Sequence, residues 1–355
     1  MEIPKLKIGN LVIDKPIIQG GMGVKVSLSS LASAVANAGG VGTISCIGLG
    51  DVNSPASQYE KESSESLARE IRKAKSMTDG HLAINVMGVL SNSEDLIRVG
   101  VEEGIKIIVF GAGLPTKLPR IVPEKDVNLI PIISSARAAQ FILKAWVKRY
   151  DRIADGFILE GPLAGGHLGF SVDQIENPEV YNLQKILPEV LEAIKPYEEQ
   201  FGKKIPIIVA GGIFSGADIA EMLKLGASGV QMGTRFVATE ECDASTEMKM
   251  TYVNAKEEDV VLIKSPVGMP GRAIRNQFLK DLEDGKKQEI NCPYRCLTAC
   301  KIKEARYCIA KKLLDAYDGK VESALLFCGQ NAWRVKEITT VPKLFAELEE
   351  GILNA

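Results

Sequence analysis

Eight short apolar runs, often rich in Val or Ile and closed by Gly, Ser or Asn, recur along this chain before residue 240. They occupy 16–19, 41–45, 82–85, 107–110, 129–133, 156–160, 206–210 and 229–232. Continuous apolar runs suit strands covered on both faces, as the strands of parallel sheets are. Between most of them lie segments with helical spacing, at 31–38, 65–74, 93–103, 136–146, 187–197 and 217–225. Ser215 stands just before Gly216-Ala217-Asp218 and is placed to cap the last of these helices. Strands alternating with helices give a parallel α/β fold, and eight strands are the number that closes a barrel. The expectation is therefore an α/β chain folded as a (β/α)₈ TIM barrel, with a doubly wound open sheet as the rival architecture.

From about residue 240 the rhythm breaks. A Gly/Pro-containing stretch (Ser265-Pro266-Val267-Gly268-Met269-Pro270-Gly271), a charged segment near 281–289, a cysteine cluster and a terminal helical stretch follow. No linker separates them from the barrel, so residues 1–240 read as the barrel. Residues 241–355 read as an insertion and C-terminal, partly helical extension packed on it, cysteine-rich around 292–308. At 355 residues the chain suits a barrel with insertions. A net charge of -2 argues against nucleic acid or an anionic membrane as the main partner. No leader-like segment and no apolar run of roughly 18 residues is seen, so a soluble cytoplasmic protein is expected.

Active sites in such barrels form at the C-terminal ends of the strands. Gln19-Gly20-Gly21-Met22-Gly23 closes the first run, and its glycines would let backbone amides approach a ligand. Asn85 closes the third run with a donor and an acceptor. Ala210-Gly211-Gly212-Ile213 and Gln231-Met232-Gly233-Thr234-Arg235 close the seventh and eighth, where loops of this fold commonly bind a phosphate through backbone N–H groups. The sixth run leads into Glu160-Gly161-Pro162-Leu163-Ala164-Gly165-Gly166-His167-Leu168-Gly169. Of the two histidines, His167 lies in this glycine-dense loop, able to reach a substrate and to titrate near neutral pH. His81 starts the third run, at the opposite end of the barrel, and reads as structural or solvated.

Taken together, residues 16–23, 37–42, 164–169, 210–216 and 231–236 resemble the nitronate monooxygenase (2-nitropropane dioxygenase-like) family, whose relatives include flavin-dependent enoyl-acyl carrier protein reductase II. The resemblance covers about residues 10–240. It implies non-covalent FMN, with Gly20, Gly21 and Met22 beside the isoalloxazine and Asn85 hydrogen-bonded to it. Gly211, Gly212, Gly233 and Thr234 would hold the FMN phosphate. Glu160, Gly165, Gly166, Ala210, Gln231 and Met232 complete the expected cofactor site. His167 matches the family's active-site histidine. Members often carry Asp-Gly after the Ala-Gly-Gly-Ile motif, where this chain reads Phe214-Ser215-Gly216-Ala217-Asp218.

Two activities follow from the resemblance: oxidation of alkyl nitronates with O₂, or reduction of an enoyl thioester with NAD(P)H as electron donor. In the second an acyl carrier protein is the partner, and Arg272 and Arg275 are residues that could face its acidic surface. A phosphate-binding barrel without redox chemistry is the rival of another class. A small-molecule substrate and a homo-oligomer are compatible with all of them.

Cys292, Cys296, Cys300 and Cys308 form C-x₃-C-x₃-C-x₇-C, with Cys328 beyond. On a helix the first three would line one face, either as small buried hydrophobes or as thiolate ligands. The spacing matches neither the usual zinc pairs nor the common ferredoxin runs. No metal site is assigned from it, and a C-terminal metal-dependent interaction module stays open.

Overall fold

The computed structural model describes residues 2–298 and 300–355. An antiparallel hairpin, β1 (Leu6–Ile8) and β2 (Leu11–Ile13), opens the chain. The next strands are β3 (Ile17–Gln19), β4 (Val41–Ser45), β5 (His81–Met87), β6 (Ile107–Gly111), β7 (Asn128–Ile133) and β8 (Phe157–Glu160). After the two-residue β9 (Gly166–His167) come β10 (Ile207–Ala210) and β11 (Gly229–Met232), then β12 (Val260–Lys264) and β13 (Pro270–Ile274). Eight of these, in the order β10-β11-β3-β4-β5-β6-β7-β8, close a barrel in which every pairing is parallel. These are the eight apolar runs, so the open-sheet alternative is excluded.

The barrel interior is a packed core. Ile18, Val41, Ile107, Val109, Ile130, Ile158 and Ile208 meet inside it, joined by Leu6, Ile8 and Ile13 of the hairpin, all essentially inaccessible. Each such side chain contributes about 1.5–3 kcal/mol by leaving water. The hairpin plugs the end where the strands begin: His81, the first residue of β5, hydrogen-bonds Val12 O through Nε2 at 3.1 Å. Ser215 caps the helix Gly216–Lys224 in a capping box, accepting from the Asp218 N–H while the Asp218 carboxylate accepts from the Ser215 N–H.

The helix that completes the outer ring comes from far along the chain. Val341–Leu353 packs on Gly216–Lys224 and on Ser29–Asn37, filling the gap between the seventh and first helices. The approach is so close that a Cβ on Gly216 would lie 2.2 Å from Leu348 O. Arg235, just after β11, grips Glu347 of that helix through both guanidinium nitrogens at 3.0 and 2.6 Å. The intervening segment leaves and returns at one point. Glu240 donates its N–H to Thr339 O at 2.8 Å, and Thr339 donates to Ala238 O at 3.0 Å.

That insertion builds over the mouth of the barrel. Its hairpin β12–β13 accepts β9 as a third antiparallel strand, with Gly271 opposite His167 and Arg272 opposite Gly166. Among the described residues no helix is long and apolar enough to cross a membrane.

Candidate active site at the barrel mouth

A cavity of about 630 Å³ opens over the C-terminal ends of the strands. Every residue expected at the site lines it. Gly20, Gly21 and Met22 come from the end of β3, Asn85 from β5 and Glu160 from β8. Gly165, Gly166 and His167 follow on the next loop. Ala210, Gly211 and Gly212 come from the end of β10, and Gln231, Met232, Gly233 and Thr234 from the end of β11. Fold closure, rather than sequence proximity, brings these five loops to one wall.

Part of this wall is rich in unpaired donors. Gly211 and Gly212 turn with φ of +98° and +84°, and a Cβ on Gly211 would meet Ala164 N at 2.9 Å. Glycine alone accepts that backbone without strain. Among the described residues no protein acceptor meets the N–H groups of Gly211, Gly212 or Gly233. These glycines are half-buried and line the cavity, and free donors gathered there suit an anionic ligand such as a phosphate. Thr234 Oγ1 accepts the Gly329 N–H at 2.9 Å, which leaves its own proton to donate. Nearby, Gln231 Oε1 is buried without a donor, an acceptor waiting for a ligand N–H.

His167 sits at the rim. Its Nε2 pairs with Ser265 Oγ at 2.7 Å, and Phe327 packs edge-on against the ring with centroids 5.0 Å apart. Nδ1 has no protein partner among the described residues. Burial pushes the imidazole down to about 4, so it is neutral at physiological pH. The expectation of titration near neutrality is corrected here: the insertion covers the ring and removes the water that would solvate its cation. Glu160 moves the other way. Among the described residues no protein group hydrogen-bonds its carboxyl, and burial raises it to about 7.

These two shifts make opposite contributions to stability. The depressed His167 stabilises the fold above pH 6.5, and this is lost as pH falls through about 4. The raised Glu160 stabilises it below pH 4.5, and this is lost as pH rises through about 7. Urea midpoints measured from pH 4 to 8 should therefore rise more steeply with pH in Glu160→Gln than in the parent protein. An unchanged slope would remove Glu160 from this balance.

Several residues that shape the site were not recognised from the sequence. Arg272 was read as a surface group able to face an acidic carrier. It is instead buried at 3% exposure, donating from Nη1 to Pro162 O at 3.0 Å and to Ala164 O. It thus clamps the loop that carries His167, while Arg275 is exposed and paired with Glu283. The segment 327–331 straps the mouth. Cys328 N donates to Arg272 O, Gln330 N to Leu163 O and Asn331 Nδ2 to Gly212 O. A Gly-Gln-Asn run after apolar residues was the only hint of this strap.

A family model described as nitronate monooxygenase matches residues 5–351. This chain belongs to the nitronate monooxygenase family. It is accordingly a flavin-dependent oxidoreductase, and the unpaired amides and the orphaned Gln231 oxygen fit a flavin carrying a phosphate. Among curated family relatives, the (3aS,4S,5R,7aS)-5-hydroxy-7a-methyl-1-oxo-octahydro-1H-indene-4-carboxyl-CoA dehydrogenase of Mycobacterium tuberculosis is 31% identical over 78% of this chain and 67% of its own length. A probable nitronate monooxygenase of Staphylococcus saprophyticus is 27% identical over 80% of this chain and 82% of its own. The structure of FabK from Thermotoga maritima superposes with a TM-score of 0.75 at 27% identity, covering 96% of this chain and 94% of that one.

Proposed function

We propose that this member of the family binds FMN and oxidises alkyl nitronates with O₂. The observation that carries the reading is the neutral, buried His167 at the mouth of a cavity whose far wall offers unpaired amides. An imidazole with its pKa held at about 4 is a poor base for pulling a proton from carbon. A nitronate is already deprotonated at that carbon and needs orientation only. His167 supplies it as a neutral group held in place by Ser265, and the nitrogen that Ser265 leaves unengaged can meet a nitronate oxygen.

In this reading Gly211, Gly212, Gly233 and Thr234 hold the phosphate, while Gln231 and Asn85 meet the polar edge of the ring system. Gly20, Gly21 and Met22 lie along it, with Glu160, Gly165, Gly166, Ala210 and Met232 completing the wall. Bound FMN would accept electrons from the substrate and pass them to oxygen. Gly211→Ala strains a left-handed turn and crowds Ala164, so FMN should bind about tenfold more weakly or worse. Fluorescence titration of the apoprotein measures this, and equal affinity would displace the phosphate from that loop.

A second reading is favoured by the opposite wall. Val267, Met269, Leu313, Leu325 and Phe327, all from the insertion, give the cavity an apolar side of the chemistry an acyl chain needs. That suits reduction of an enoyl thioester with NAD(P)H as electron donor and an acyl carrier protein as carrier. Anaerobic stopped-flow mixing of FMN-loaded protein with propyl nitronate, NADH and NADPH separates the two. Bleaching by the nitronate alone supports the first reading. Bleaching by a pyridine nucleotide alone transfers the assignment to the second, and a folded protein that takes up no FMN overturns both.

A further inference from the structure

A second cavity, of about 230 Å³, lies in the insertion and is lined by Cys292, Cys296, Cys300 and Cys308. The described residues from Cys292 to Thr298 are not helical, and Arg295 among them adopts a left-handed φ of 42°. The expected helix face of three thiols is therefore replaced by an irregular loop, with Cys308 arriving from the start of the helix Ile309–Tyr317. All four thiols are free of disulfides.

We propose that these four cysteines ligate an iron–sulfur cluster in this cavity. Cys296 is buried with Tyr59, Tyr294 and Ala310, and Cys292 and Cys308 pack against that cluster, yet all four thiols also line the cavity. Their surroundings supply hydrogen bonds to sulfur, as cluster sites do. Tyr294 Oη and Cys308 Sγ are 2.6 Å apart, and the Arg295 N–H is directed at Cys292. Among the described residues no three Cys, His, Asp or Glu side chains converge on a single-ion position. Sulfurs spread around a cavity suit a polynuclear cluster better than one zinc.

The cluster cavity shares a wall with the barrel-mouth cavity, formed by Val267, Cys296, Leu297, Ile309 and Ala310. The proposal does not depend on the substrate assigned above, because its readout is metal content.

The test is anaerobic incubation of the full chain with ferric iron, sulfide and excess dithiothreitol, which supplies the electrons that bring part of the iron to the ferrous state, followed by desalting and assay of iron, acid-labile sulfide and zinc. The expected result is iron and sulfide in equal amounts, up to about four of each per chain. An EPR signal should appear on reduction with dithionite, with or without FMN present. Cys292→Ala/Cys296→Ala should lose the iron. Cys300→Ala, at an exposed position that the fold does not require, should lower it and alter the signal, while Cys242→Ala, outside the cavity, should not. Absence of bound iron, one zinc without sulfide, or full iron retention in the Cys292, Cys296 and Cys300 variants would each overturn the proposal.

Discussion

His167→Ala should lower kcat/KM on the order of 10²–10⁴-fold while leaving FMN binding and the urea midpoint near neutral pH close to those of the parent protein. The imidazole contacts the rim through one hydrogen bond to Ser265 and one edge-on contact with Phe327, so little of the fold hangs on it. In the proposed reading its loss instead leaves the substrate without its orienting partner. His167→Asn, which keeps a polar group toward Ser265, should recover part of kcat. Because the parent imidazole titrates near 4, its pH profile should show no His167 limb between pH 6 and 8. A limb in that range that disappears in the variant would mean that bound ligand raises the imidazole, and would restore it as a base.

Arg272→Met should be the most destabilising single change near the site, at about 3 kcal/mol in urea unfolding. The guanidinium is buried and burial lowers it to about 10, still charged at neutral pH. Its removal strands the Pro162 and Ala164 carbonyls, and each buried acceptor without a donor costs about 1–3 kcal/mol. The same loop presents His167, so kcat should fall with stability. Arg272→Lys should rescue little, because an ammonium lacks the planar fork of donors. Arg275→Ala is the control: its partner Glu283 is solvent-exposed and the pair should contribute about 1 kcal/mol or less. Equal effects of the two arginine changes would refute the clamp.

The barrel was legible because its strands are buried on both faces, and an unbroken Val/Ile run carries that signal locally. Run 82–85 lengthened to His81–Met87 and run 16–19 shortened to Ile17–Gln19, and all eight barrel strands were found, whereas β1, β2, β9, β12 and β13 were missed. The glycine loops were legible for a related reason, since each closes a strand and so falls at the mouth. What the insertion does was not legible. Its hairpin pairs with the two residues of β9, and a ladder that short between positions about a hundred residues apart leaves no periodicity to read. Arg272 looked like a surface charge because only the tertiary fold puts two carbonyls within its reach. The cysteine helix was a misreading of spacing, which Pro293 did nothing to forbid because proline is tolerated in a first helical turn.

The neck at Thr239 and Thr339 has a consequence for how the protein is made. The barrel's ring of helices is closed by Val341–Leu353, and about a hundred residues of insertion must be synthesised before that helix exists. At ~5–20 residues per second the wait is on the order of 5–20 s. For that interval the flanks of Ser29–Asn37 and Gly216–Lys224 that this helix covers lack their partner, and the residues that form the insertion's cavity walls are synthesised before it.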